Sequence, residues 1–264
     1  MSDLERIAVF GGVYNNHLSL QAVLADARQQ GAQRIYCLGD VGGFGPHPDR
    51  SVPILIEQDV LTMQGNYDDS IGNRLDDCQC GYTDPRDNHF AQISYNYTLA
   101  HTSDPHKDWL RDLPAGFRLE FAGQRLLFAH GSPRRVNEFL WESTTPEPFI
   151  RRLLRDFDAD LIAVTHTGIH WQRRLADAPG RGLVNVGAIG RPANDGRTDV
   201  WYALLTASDP IQVEFRPVAY DHPRLAAEMR EEGLPEEFVE TILTGWWTTC
   251  LEILPARERA RSRD

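Results

Sequence analysis

Four apolar, strand-like runs in this chain each break into a loop that carries a residue able to bind a metal ion. The loops read "LGDVGGFGPHPD", "QGNYDD", "FAHGSPRR" and "VTHTGIH". The first two lie in a β-α-β-α-β order. It runs from "RIAVF" to the amphipathic "LSLQAVLADARQQ", stopped by Gly31, then "AQRIYCLGD", the weaker helix "RSVPILIEQ" and "VLTMQGNYD". Strands joined through helices lie parallel, and the loops at their carboxyl ends share one sheet edge. Asp40, Asn66, His130 and His166 are thereby predicted to converge. Asp and Asn offer oxygen, His offers nitrogen, and such a mixed set suits Mn, Fe, Zn or Ni. Taken singly, each residue has a plainer reading. A Gly-Asp after a strand is a turn or cap, Asn66 a left-handed turn residue, and a lone histidine a satisfied core group. The specificity lies in the four together and in their order.

The rest of the chain reads as more of an α/β domain. "DCQCGYTDPRDN" is a turn-rich loop, and "HFAQISYNYTLAHT" and "PHKDWLRDL" are helical, forming a small cap inserted at about 76–114. "FRLEFAGQRLLFAHG" is a hairpin with Gly123 in its turn. In "TTPEPFIRRLLRDF", Thr145 is the predicted N-cap and Pro146 the first helical residue. "ADLIAVTH", "GLVNVGAIG", "TDVWYALLTA" and "IQVEFRPVAY" supply strands, followed by short helices near 223–231 and 235–243. A single domain over 1–254 is expected, with a charged, frayed tail at 255–264.

With 264 residues, 41% of them hydrophobic, the chain is long enough for one sizeable core. The net charge of -11 argues against a nucleic-acid polymer as partner, because a phosphate backbone needs a basic face. "MSDLERIAVF" lacks a basic-then-apolar leader, and no apolar run reaches membrane-spanning length, so the cytoplasm is the expected location and no membrane partner is expected. Cys37, Cys78, Cys80 and Cys250 do not space like a disulfide framework, and a reducing compartment is expected. Cys78-x-Cys80, lacking a second cysteine pair, is a poor zinc knuckle; redox activity is one alternative, and the simpler reading is that it packs a loop.

The motifs together resemble those of calcineurin-like metallophosphoesterases of the small bacterial phosphodiesterase type. "CLGDVGGFGPHPDRSVPILIEQ" resembles the family's Gly-Asp loop, "QGNYD" its Gly-Asn-His-Asp motif, and "LLFAHGSP" its strand–His–Gly–Ser–Pro motif. "VTHTGIH" resembles Gly-His-Thr-His, and "LVNVGAIGRPANDGRTDVWYALL" the segment and strand that follow. The resemblance spans most of the chain. It implies a four-layer α/β/β/α sandwich with a two-metal site at the sheet edges. Carried over residue by residue, it places Asp40, Asn66, His130 and His166 around one metal position. The other position is depleted. Gly12 stands at the family's first Asp, Tyr14 at its His, Gly168 at the second His of Gly-His-Thr-His, and Tyr67 at the proton-donating His.

One divalent ion per chain is therefore expected. His17 and His170 are candidate substitute ligands, although each also reads as a capping or surface histidine. Tyr14 is either a packed phenol or, beside a ferric ion, a phenolate; with an unperturbed pKa of ~10 it needs a strong Lewis acid to ionise. Tyr14, Tyr67 and Arg134 are candidate catalytic groups that offset developing charge. Arg135 and Arg191 are candidate substrate-binding groups, since a guanidinium fork matches phosphate geometry. The implied activity is metal-dependent hydrolysis of a small phosphomonoester or phosphodiester, the partner being a small phosphorylated molecule. The alternative is a weak or inactive relative that binds a phosphorylated ligand or a partner.

Overall fold

The strands of this protein form two five-stranded sheets that share one apolar interior. The computed structural model describes residues 4–260. Along the chain run β1 (Arg6–Phe10), α1 (His17–Gln29), β2 (Arg34–Cys37), α2 (Ser51–Glu57), β3 (Leu61–Thr62), α3 (Asn66–Gly72), α4 (Pro85–His101) and α5 (Asp104–Arg111). Next come β4 (Phe117–Phe121), β5 (Gln124–Phe128), α6 (Glu147–Asp156), β6 (Leu161–Val164), β7 (His170–Leu175), β8 (Ala178–Val186), β9 (Val200–Thr206) and β10 (Gln212–Val218). Three helices close the described chain: α7 (His222–Glu231), α8 (Glu236–Thr244) and α9 (Ala256–Ala260).

One five-stranded sheet has the order β10-β9-β1-β2-β3 and the other β4-β5-β6-β8-β7. β1, β2 and β3 are parallel, as the β-α-β-α-β order predicts, and β9 joins antiparallel to β1. β4 and β5 form the expected hairpin, with Gly123 in the left-handed region at φ 73°. Within β1, Ile7 and Val9 point into the interior between the sheets, while Ala8 and Phe10 pack under α1 and α2. In the second sheet Leu126, Phe128, Leu161 and Ala163 enter the same interior. Leu127, Ile162 and Val164 turn outward against Ile150, Leu153 and Leu154 of α6. Both faces of each central strand are thus covered, which is why these strands read as unbroken apolar runs. The result is the four-layer α/β/β/α sandwich.

Register aligns the functional loops. Phe10 pairs with Cys37, Phe128 with Ala163, and Val164 with Asn185, so the loops leave the parallel strands at nearly the same level. α4 and α5 lie in the predicted cap segment. α7 and α8 pack on the same end, where Phe238 and Met229 meet Tyr14, Phe44 and Phe90.

Three local expectations change. Pro146, not Thr145, is the N-cap of α6, and the helix starts at Glu147. The fixed φ of proline suits either place, and Thr145 is instead buried. β7 was not foreseen, because Arg173 interrupts the apolar alternation of Trp171 and Leu175; it reaches the carbonyls of Thr145 and Glu142. The tail is not frayed throughout. α9 is held by Glu258, 3% exposed, which accepts from Ser143 N at 2.8 Å and Ser143 Oγ at 2.5 Å. Residues 261–264 of the predicted tail lie outside the described residues. No helix among the described residues is long and apolar enough to cross a membrane.

Phe128 sits fully buried between the sheets, edge-on to Tyr36 with ring centroids 4.9 Å apart. Phe128→Ala is expected to cost about 3–5 kcal/mol of unfolding free energy. The check is the midpoint of urea denaturation, with an unchanged slope showing that the fold itself survives.

Candidate metal centre

The site begins with a buried carboxylate that binds no ligand. Asp68, in the first turn of α3, accepts from Asp40 N at 2.7 Å, Val41 N at 2.8 Å and Gly65 N at 2.8 Å. It thereby locks the loop after β2 to the loop after β3. Burial pushes its own pKa up to about 6, and the nearby Asp40 adds to that. Asp40 is in the left-handed region at φ 55°, as is His166 at φ 65°. Non-glycine residues hold such a conformation only where their surroundings enforce it.

Asp40, His130 and His166 form a buried cluster whose ligand-type atoms all lie within 4.8 Å of one another. His130 Nδ1 is 2.6 Å from the Leu38 carbonyl. A carbonyl can only accept, so Nδ1 carries the proton and Nε2 offers its lone pair in the neutral ring. That Nε2 lies 3.3 Å from Asp40 Oδ2 and 3.2 Å from His166 Nδ1. Burial pushes the Asp40 carboxyl up, but His130 outweighs it, by charge and hydrogen bond, and holds Asp40 below the usual range. Burial lowers His130, and Asp40 raises it above the ordinary value. His166 is pushed down to about 3 by burial and by His130, which leaves it neutral. A carboxylate and neutral imidazoles are the forms that bind metals.

Asn66 opens α3 and is not the left-handed turn residue of the plainer reading. Its Nδ2 donates to the Cys78 carbonyl at 2.8 Å, with Cys80 Sγ 3.5 Å away. Its Oδ1 is buried without a hydrogen-bond partner. Amide nitrogen and oxygen are thus divided, one anchoring and one unused. An unpartnered buried acceptor, a carboxylate and two imidazoles thus direct donor atoms at one point that a cation would satisfy. The residues therefore fit a divalent cation, and the hard-oxygen and imidazole donors fit a transition metal.

Asp40, Asn66 and His166 line one cavity of roughly 50 Å3, together with Tyr14, Tyr67 and Arg191. Burial drives the phenols of both tyrosines well above their ordinary pKa, so both stay neutral. Tyr67 Oη donates to Ser94 Oγ at 3.1 Å and so braces the α4 wall. Arg191 is buried, its guanidinium carbon 3.6 Å from the Trp247 ring centroid.

Other candidates lie elsewhere. His17 starts α1 and faces Glu228 at 3.6 Å, with Arg50 and His47 beside it. His170 stacks on Trp201 at 4.4 Å and against Phe215, between strands of the two sheets. Neither joins the cluster. The loop after β1 is instead tied by asparagines: Asn15 donates to Gly45 O, and Asn16 caps α1 and donates to Gly190 O. Arg134 and Arg135 are exposed and line a second, open groove that His130 also borders, where Arg134 pairs with Glu138 at 3.1 Å and covers Phe149.

Three contributors escaped the sequence. Cys78 and Cys80 are joined by a disulfide, which corrects the expectation of a loop packed by free thiols; their proximity to Asn66 depends on a loop fold that no motif announces. Asn185 donates to Thr165 O at 3.0 Å and Thr167 Oγ1 at 2.8 Å, and holds the His166 loop. Trp247 reaches the site from beyond α8. Only Asn185 had a signal, its place inside a quoted motif.

A sequence profile of the calcineurin-like phosphoesterase superfamily domain matches residues 6–209. An uncharacterized protein of Methanocaldococcus jannaschii is 26% identical over 251 residues, 90% of this chain and 98% of that protein. The crystal structure of a metallophosphoesterase from Sphaerobacter thermophilus is similar with TM-score 0.71 and 27% identity, covering 92% of this chain and 100% of that one. A hypothetical protein from Pyrococcus horikoshii shares the fold, with TM-score 0.76 and 20% identity over 92% of this chain and 99% of its own.

Asp68→Asn is expected to loosen the two loops and weaken Mn(II) binding by about 10- to 100-fold, read by titration calorimetry. A second outcome concerns pH. Burial lowers His17 to about 4, below the ~6.5 of an unfolded histidine. The unfolded chain therefore takes up the extra proton, and stability is present above about 6.5 and falls as pH drops toward about 4. His17→Gln should lose stability less steeply across that window, measured by urea midpoints at each pH.

Proposed function

This chain belongs to the calcineurin-like phosphoesterase superfamily, and on that premise we propose that it hydrolyses a small phosphomonoester or phosphodiester in the cytoplasm. Asp40, Asn66, His130 and His166 would hold one divalent transition-metal ion. The observation that carries this reading is the convergence of the buried Asp40, His130 and His166 donors beside the unpartnered Asn66 Oδ1. A bound divalent ion supplies Lewis acidity, polarising a phosphoryl oxygen and acidifying water.

The protein's own groups set the conditions for that chemistry. The Leu38 carbonyl holds the His130 proton on Nδ1 and keeps Nε2 available. The Cys78 carbonyl turns the Asn66 amide so that Oδ1 is the free end. Asp68 holds the Asp40 backbone in its left-handed conformation. The Tyr14 phenol remains protonated in the cavity and can donate to an oxyanion. Phe44, Phe90 and Phe238 give the same cavity apolar walls.

The second reading, a binder without turnover, is favoured by one observation. By the family resemblance, Gly12, Tyr14 and Gly168 stand where ligands of the other metal position would be, which leaves a two-metal clamp of the usual design incomplete. Turnover separates the two. Asp40→Ala and His130→Ala should reduce hydrolysis of p-nitrophenyl phosphate and bis(p-nitrophenyl) phosphate to the uncatalysed rate, with far-UV circular dichroism unchanged. Elemental analysis should find one ion per wild-type chain. A wild type no faster than these variants on a broad phosphoester panel would leave the binder.

A further inference from the structure

Arg191 is the one buried group of the cavity whose charge the proposed metal centre does not use. It follows β8 and is 6% exposed. Its guanidinium lies over Trp247 at 3.6 Å, with the Tyr14 and Phe44 rings at 5.7 and 5.8 Å. Its polar neighbours are Tyr14, Tyr82 and Cys250, the last a side-chain hydrogen-bond partner. Its Nε is buried without a partner. A guanidinium does not lose its proton in a protein, and burying it without a counter-charge is costly. Such a cation, lining the same cavity as Asp40, Asn66 and His166, calls for an anion.

The surrounding glycines show what Arg191 displaces. A Cβ at Gly168 would lie 3.5 Å from Arg191 Nη2 and 3.3 Å from the Trp247 ring, on a backbone at φ 76°. A Cβ at Gly12 would lie 2.8 Å from the Tyr14 ring. Two of the three positions at which the resemblance leaves the second metal without ligands, Gly12 and Gly168, are therefore flanked by Tyr14 and by the Arg191–Trp247 stack. A larger side chain at Gly12 would require the Tyr14 ring to move, and one at Gly168 would press on the stack.

We propose that Arg191 is the second positive centre of this site, a permanent guanidinium that binds the phosphoryl oxygens of the substrate where a second metal ion would otherwise act. The inference rests on the phosphoesterase reading and deepens it. Stacking on Trp247 fixes the plane of the guanidinium, and its N–H groups lie in that plane, free of the ring face. The fork then meets two oxygens of one phosphoryl group. Gly168 leaves room for the stack, and Tyr14 closes the opposite side as a neutral donor.

The test uses the metal-loaded protein and inorganic phosphate, measured by titration calorimetry at fixed ionic strength. Loss of a charge-assisted pair should weaken phosphate binding about 10- to 100-fold in Arg191→Gln. Metal content should stay at one ion per chain. Arg191→Lys, which keeps the charge and loses the fork, should fall between, and it serves if the glutamine variant does not fold. Trp247→Phe should weaken phosphate binding less than Arg191→Gln and leave the ion count unchanged. Added guanidinium at millimolar concentration should partly restore phosphate binding to Arg191→Gly. Phosphate affinity unchanged in Arg191→Gln and Arg191→Lys overturns the inference, as does wild type that binds no phosphate or carries two ions per chain. These results are distinct from failure of the functional reading, which is decided by hydrolysis in the wild type alone.

Discussion

The arrangement of this site depends on one carboxylate that touches no substrate. Asp68 gathers the backbone N–H groups of Asp40, Val41 and Gly65, and so makes two loops from separate strands into one rigid rim. Each of those N–H groups is buried, and each would carry a desolvation cost without the carboxylate. Asp68 carries the cost of its own burial, which raises its pKa, while His130 holds that of Asp40 down. The pair divides the labour: one acid is structural and the other is free to face a cation.

The same economy runs through the second sheet. His130 is oriented by a carbonyl of the first sheet's loop, the one after β2, so the two sheets are joined at their functional edge as well as through the core. Asn185 holds the His166 loop by two hydrogen bonds from a single amide. The disulfide-linked segment Cys78–Cys80 supplies the carbonyl that orients Asn66. Each candidate ligand is thus positioned by a buried polar group, the kind of support that holds a metal site's geometry.

The loop after β1 is held by its own asparagines and adds no group to the Asp40–His130–His166 cluster. Tyr14 and Asn15 are both left-handed, and Asn15 and Asn16 spend their amides on neighbouring carbonyls. The Tyr14 ring and the Arg191–Trp247 stack occupy the space beside the metal cluster. Aromatic rings and a guanidinium there make a drier and more rigid cavity than a second set of exposed ligands would.

Much of this was legible in the sequence. Parallel β1–β3, the hairpin at Gly123 and the double-sided apolar strands followed from periodicity and turn chemistry, because those are local properties. Asp40, Asn66, His130 and His166 were legible because strand ends carry them, and the edge of a parallel sheet gathers strand ends. The placement of Arg191 against Trp247, of Cys80 against Asn66, and of His17 against Glu228 was not legible. Each pairs residues far apart in the chain, and no periodicity encodes which side chain reaches across a cavity. Arg134 beside His130 in sequence illustrates the converse: a turn carries it onto an open groove, while Arg191, from another loop, is buried in the cavity. The sequence by itself determined the α/β alternation and the sheet edge where the candidate ligands gather; only the tertiary structure decided which buried charge shares the cavity, because that depends on how α8 and the segment after it close over it.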